Sequence, residues 1–233
     1  MNAPARLSNV VSLGIGYYTV PEASRLLRIP ARNINRWLGG YRYEELGRTV
    51  SMPPLWRPEL PSDEHHLELS FRDLIELRFV KAFLDAGLGL KTVRACLNYA
   101  REWVANPHPF STRKFRTDGR TIFLESIARD QSQLLDLKKH QFVVKDVIER
   151  TFKDLDIEDD VVARWRPHRG KQTIIIDPQR AFGQPIASSS GVPTAVLADA
   201  ARVEGSAKRA AQLFRVPASV VHDAVAFEQF LAA

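Results

Sequence analysis

Cysteine is nearly absent: Cys96 is the single thiol in 233 residues. One thiol excludes an intrachain disulfide, cannot build a thiolate zinc site, and fits a reducing compartment. Long apolar runs are missing too, with nothing near the ~18 consecutive apolar residues that a membrane-spanning helix needs. The opening MNAPARLSNVVSLGIG has a short apolar run from Val10 to Ile15 but no charged leader and no cleavage site, so a secretory signal is not expected. These absences predict a cytoplasmic chain with no membrane contact. No glycine-rich phosphate loop is present. The histidines give no i, i+4 pair; His65 and His66 are adjacent and read as surface residues. Ser188–Ser190 reads as a loop without a visible base, and Asp159 and Asp160 read as solvated. The expectation is a protein that is not an enzyme and holds no cofactor or metal.

What is present is an ordinary globular composition, 45% hydrophobic and 26% charged, with a net charge of +6. Positive charge favours an anionic partner, but its distribution matters more than its sum. Residues 1–57 hold eight Arg and three Glu, a net +5. Residues 164–180 hold four Arg, one Lys and one Asp, a net +4, whereas residues 125–163 carry ten acids against six bases. Two basic modules therefore flank an acidic connector.

The pattern along the chain predicts a mainly α, α+β protein. Residues 1–16 read as a flexible arm and 17–70 as two short helices followed by a small hairpin or wing. Residues 71–163 read as a helical dimerisation and linker region, and 164–233 as a C-terminal module. Thr19 is a suitable N-cap, with Pro21 in the first turn. The second helix runs from Pro30 or Ala31 to Leu38 and stops at Gly39-Gly40. Extended pieces near Val50, at Leu55-Trp56 and at Leu67–Leu69 are candidates for the wing. Ser70 caps a helix over about 71–86, broken by Gly87 and Gly89. The next helix spaces Leu90, Val93, Leu97, Ala100 and Val104 by 3, 4, 3, 4, a seam that suits either a coiled-coil dimer or the chain's own core. KFRTDGRTIFL predicts a β-hairpin around Asp118-Gly119, followed by a helix over about 127–153. A strand at Thr173–Ile176 and three helices, Pro193–Ala201, Ser206–Phe214 and Pro217–Leu231, complete the chain. No internal repeat is evident.

A helix that reads DNA needs an apolar face to fix its angle and an outer face with donors for base edges. In 31–38, Ile34 with Trp37 or Leu38 suits the first need, and Arg32, Asn33, Asn35 and Arg36 suit the second. Arg pairs with guanine and Asn with adenine in the major groove. Arg28 in the turn, with Arg42 and Arg48 beyond the glycines, are candidate phosphate contacts. No acid occurs from Ala23 to Tyr43.

This stretch resembles the winged helix-turn-helix of the MerR and excisionase-like families. The likeness rests on Tyr18-Thr19-Val20, Glu22, Ala23, Leu26, the turn Arg28-Ile29-Pro30, and Arg32, Ile34, Arg36 and Trp37. It implies that Arg32 and Arg36 lie in or beside the groove and that the wing carries Arg42 and Arg48. A dimer would set two such helices ~34 Å apart on double-stranded operator DNA. Residues 173–231 resemble a small bacterial family found beside PIN-type toxin genes, through Asp177-Pro178, Gly183-Gln184-Pro185, Gly191-Val192-Pro193 and the three helices. Ser189, Ser190 and Gly191 replace the usual Gly-Thr-Arg of that family. The last two helices are helix-turn-helix-like, but with Asp223 and Glu228 outward they are not expected to read bases. The combination resembles VapB-type antitoxins and implies a VapC-like PIN-domain ribonuclease as partner. An arginine could engage that partner's metal-binding carboxylates. Arg164, Arg166, Arg169 and Arg180 are the candidates, the alternative being that this basic loop covers the chain's own acidic patch at 154–160.

Overall fold

The computed structural model describes residues 14–45, 47–61, 67–129 and 137–233, and only the backbone of 137–141. All but the last three residues of the expected arm lie outside the described residues, as do His65 and His66.

Strand β1 (Tyr18–Thr19) leads directly into helix α1 (Val20–Leu27). Thr19 Oγ1 accepts from the Glu22 N–H while the Glu22 carboxylate accepts from the Thr19 N–H at 2.8 Å, a reciprocal cap. Arg28 ends the helix in the left-handed region, at φ 54°. Pro30 then starts helix α2 (Ala31–Gly39). Strands β2 (Tyr41–Glu45) and β3 (Arg48–Met52) form an antiparallel hairpin that pairs Tyr41 with Met52 and Glu45 with Arg48. Gly40 permits this turn: its φ is +75°, and a Cβ there would lie 2.7 Å from the Met52 carbonyl oxygen. The hairpin starts earlier than the sequence suggests. Leu55 and Trp56 are a buried plug beneath it, with the Leu55 N–H bonded to the Trp37 carbonyl at 2.7 Å. Strand β4 (Glu68–Leu69) pairs with β1 instead of joining the wing.

Ser70 and Asp73 form a second reciprocal cap at the start of helix α3 (Phe71–Asp85). Helix α4 (Leu90–Val104) follows a break at Gly87, whose φ is +90°. Of the two uses open to the α4 seam, the structure has the second. Val93, Leu97 and Ala100 are buried in the chain's own core, so a dimer cannot zip through them.

The expected hairpin at Asp118-Gly119 is wrong: residues 113–129 are one helix, α5 (Arg113–Arg129). Phe115, Ile122, Phe123 and Ile127 recur with helical spacing and are all buried, and this period outweighs the local turn preference. Thr112 also caps the helix, its hydroxyl accepting from the Phe115 N–H at 3.1 Å. Gly119 serves packing rather than turning, since a Cβ there would meet Ile148 Cδ1 at 2.8 Å. Residues 127–129 of the expected helix therefore belong to α5, residues 130–136 lie outside the described residues, and helix α6 (Leu137–Phe152) carries the remainder.

Strands β5 (Leu155–Glu158), β6 (Val161–Trp165), β7 (Ile174–Ile176) and β8 (Pro185–Ala187) form an antiparallel sheet in that order. The sheet runs unbroken from the acidic connector into the second basic module. Helices α7 (Thr194–Val203), α8 (Ala207–Phe214) and α9 (Ala218–Ala232) pack on its far end. The main core is rich in phenylalanine: Phe79, Phe83, Phe110, Phe115 and Phe123 are all buried, with Phe110 and Phe115 ring centroids 4.6 Å apart. The C-terminal core is built from small residues, among them Ala187, Leu197, Ala210, Val221 and Ala224.

The backbone contains an internal repeat, which sharpens the helix-turn-helix-like pattern of the last two helices. The turn between α8 and α9 repeats the turn between α1 and α2, 187 residues later. Arg215 sits at φ 53° and ψ 43°, against 54° and 44° for Arg28. Val216 N–H bonds the Ala211 carbonyl as Ile29 N–H bonds that of Ser24, at 3.0 and 3.2 Å. Leu213, Arg215, Pro217 and Ala218 repeat Leu26, Arg28, Pro30 and Ala31. Buried Ala210, Val216 and Val221 likewise stand where Ala23, Ile29 and Ile34 do.

Candidate nucleic-acid interface

Helix α2 has two sharply different faces. Ile34, Trp37 and Leu38 are buried, anchoring it against α1 and the main core. Arg32, Asn35 and Arg36 are exposed, and Asn33 is half-buried. Arg36 lies over the ring of Tyr41, its guanidinium carbon 3.7 Å from the centroid. Stacking of this kind holds a long side chain in place before any ligand arrives. Tyr41 in turn lies 6.0 Å from Tyr43. Sequence reading does not single out this stacking, although an aromatic placed directly after a helix-ending glycine pair is a signal for it.

The remaining candidates of this group are scattered. Arg42 and Arg48 are exposed on the hairpin. Arg48 faces Glu45 across the strands, and Thr49 donates to Glu44 at 3.2 Å. The hairpin thus carries two acids beside its two arginines. Arg28 points elsewhere: its guanidinium lies 3.9 Å from the centroid of Phe230 and donates to the Phe230 carbonyl. The end of α9 is therefore seated against the α1–α2 turn.

Beneath the hairpin lies a buried polar cluster that sequence reading did not single out. Asp73 accepts from Trp56 Nε1 at 2.6 Å, from the Glu59 N–H at 3.1 Å and from the Ser70 N–H at 2.9 Å. His108 Nε2 is 3.0 Å from the same carboxylate. Burial alone would raise Asp73, but the hydrogen bonds from His108, Ser70 and Trp56 outweigh it and hold the carboxyl below its usual range. Glu76, one turn along α3, is fully buried and accepts from the Ser111 N–H at 2.9 Å, while its Oε2 is without a partner. Desolvation pushes its carboxyl up to about 8, against the opposing charge of His108. For His108, burial favours the neutral form, yet the Asp73 hydrogen bond and the Glu76 charge prevail and raise it. The hairpin's base is tied into this region by Arg101, which donates to the Leu55 carbonyl at 2.7 Å, and by Arg94, which donates to that of Pro54 at 2.9 Å.

The second basic module is largely engaged with its own chain. Arg164 pairs with Glu158 and lies 3.7 Å from Asp156, and Arg166 is 3.1 Å from Asp156. These contacts match the alternative in which the loop covers the acidic patch. Arg180 donates to the Ser188 carbonyl at 3.1 Å. Arg169 is exposed and, among the described residues, has no recorded hydrogen bond or ion pair through its side chain.

This fold is shared with a known protein. A crystal structure of Rv2018 from Mycobacterium tuberculosis superposes with a TM-score of 0.71, covering 89% of this chain and 96% of that one at 24% identity. The curated Mycobacterium tuberculosis protein named "Putative antitoxin VapB45" is 25% identical over 224 residues, which is 89% of this chain and 92% of that protein. No family model matches the chain. Among the described residues no helix is long and apolar enough to cross a membrane.

Proposed function

We propose that this chain is an antitoxin of a toxin–antitoxin pair, with α1, α2 and the β2–β3 hairpin acting as a winged helix-turn-helix on operator DNA. The observation that carries the DNA reading is the division of α2: Ile34, Trp37 and Leu38 buried, Arg32, Asn35 and Arg36 outward, with Arg36 braced on Tyr41. An anchored helix presenting guanidinium and amide groups suits the major groove. The antitoxin reading is supported by the name of the curated relative, which covers most of both chains.

The partner we infer is a PIN-domain ribonuclease, met by the C-terminal module. Of the four arginines in the second basic module, Arg169 is the best suited to reach a carboxylate cluster, because Arg164, Arg166 and Arg180 are held by their own chain. A homodimer on a palindromic operator would join through a surface other than the α4 seam. A second reading is a transcription regulator without a toxin, favoured by the internal pairing of Arg164 and Arg166.

Co-expression with the adjacent gene separates the two. The antitoxin reading predicts that a small nuclease co-purifies, that its RNA cleavage is suppressed in the complex, and that Arg169→Ala restores cleavage. A chain that purifies alone yet shifts duplex DNA from its own upstream region would favour the regulator.

A further inference from the structure

The repeated turn raises the question of what the second helix pair does with a DNA-docking geometry. The first copy and the second differ in charge in a consistent way. Where α1 has Pro21 and Glu22, α8 has Lys208 and Arg209. From Ser206 to His222 there are three bases, Lys208, Arg209 and Arg215, and no acid. All three are exposed, and no ion pair is recorded for any of them among the described residues. The contrast at the turn is sharper. Arg28 is held by Phe230, whereas Arg215, at the same backbone position, projects into solvent.

The base-reading positions do not follow suit. Asp223 stands where α2 has Arg36, and it is bound by Lys171 at 2.7 Å and Thr173 at 2.8 Å. The ring of His168 packs edge-on against Phe227 on the same helix. The middle of α9 is therefore docked on the chain's own sheet and its flanking loop. Ser219 and His222, near its start, remain exposed.

We propose that α8 and the α8–α9 turn form a second contact with duplex DNA, one that grips phosphates through Lys208, Arg209 and Arg215 and reads no bases. In helix-turn-helix docking the first helix and the turn lie along the backbone while the second helix enters the groove. Here only the backbone-facing half is equipped. Phosphate contacts of this kind position a protein and set its salt dependence without adding sequence preference.

The test uses the full chain and fluorescence anisotropy with two duplexes, one from the region upstream of its own gene and one of scrambled sequence, across a salt series. Lys208→Gln/Arg209→Gln/Arg215→Gln should weaken both duplexes by a similar factor, at least tenfold at moderate salt, and reduce the slope of log K against log salt by about 2 to 3. A Lys208→Gln/Arg209→Gln pair, which leaves the turn untouched, should give a slope reduced by about 2. Arg32→Ala/Arg36→Ala should instead remove the preference for the upstream duplex while leaving salt-sensitive binding to both. Circular dichroism melts confirm that each variant is folded. Unchanged affinity and slope in the triple variant overturn the proposal and leave the α2 reading intact. Complete loss of binding to both duplexes in the Arg32/Arg36 variant overturns it as well, as does a triple variant that binds DNA normally but fails to hold an acidic protein partner.

Discussion

Asp73 and Glu76 lie one turn apart on α3, and their surroundings treat them oppositely. Asp73 has four hydrogen-bonding neighbours and stays charged; Glu76 has one and holds its proton. The consequence for stability follows from linkage. Because the Glu76 carboxyl is raised from 4.5 to about 8, the unfolded chain gives up a proton that the folded chain keeps, and stability falls as pH rises through that interval. His108, also raised, acts in the same direction above its ordinary 6.5. Asp73, lowered from 3.8, adds stability that is lost only as acid protonates it. Thermal melts should therefore show stability declining between pH 6 and 8, with Glu76→Gln flattening the profile; a variant with the wild-type slope would refute the assignment. Asp73→Ala strands Trp56, His108 and two backbone N–H groups, and should cost about 3–5 kcal/mol in urea unfolding. A destabilisation below 1 kcal/mol would show that the cluster is not structural.

Elements were legible where a cap and a period agreed. Thr19 with Pro21 in the first turn, and Ser70 ahead of a stretch ended by Gly87 and Gly89, located α1 and α3, and the Gly39-Gly40 pair located the end of α2. The misread element is α5, where Asp118-Gly119 is a strong local turn signal inside a longer helical period. The hairpin's start was obscured for a different reason: Tyr41–Glu45 is mostly exposed, so no buried alternation marks it as a strand. Its geometry depends on Gly40. Gly40→Ala, with a Cβ 2.7 Å from a carbonyl oxygen at φ +75°, should cost about 1–3 kcal/mol and displace Tyr41 from beneath Arg36. The check is DNA affinity measured well below the variant's melting temperature, where it should still be reduced. An affinity equal to wild type would mean that the brace on Arg36 is dispensable.

Contacts between the two ends of the chain were beyond sequence reading, because they join residues about 165 to 200 positions apart. Tyr18 donates to the Gly183 carbonyl at 2.7 Å, Tyr17 N–H bonds the Phe182 carbonyl at 3.0 Å, and Phe230 receives Arg28. The sheet adds continuity, since Trp165 and Ile176 belong to the main core and Ala187 to the C-terminal one. Both cores should therefore unfold together. Gly183→Ala, whose Cβ would lie 2.3 Å from the Tyr18 hydroxyl, should split a single calorimetric transition into two. Retention of one transition would show that the sheet alone couples them. The charge pattern was legible, but its use was not: half of the second basic module neutralises the neighbouring acids of β5.

The most direct measurement concerns α2 itself: an anisotropy titration of wild type and Arg32→Ala/Arg36→Ala against the duplex upstream of the gene. Both side chains are exposed, so the variant should melt as wild type does. A good arginine–base pairing is worth ~1–3 kcal/mol, so removing two of them should lower the affinity by roughly thirtyfold or more and abolish the preference over scrambled DNA. An affinity and a preference both equal to wild type would mean that this helix does not meet the groove.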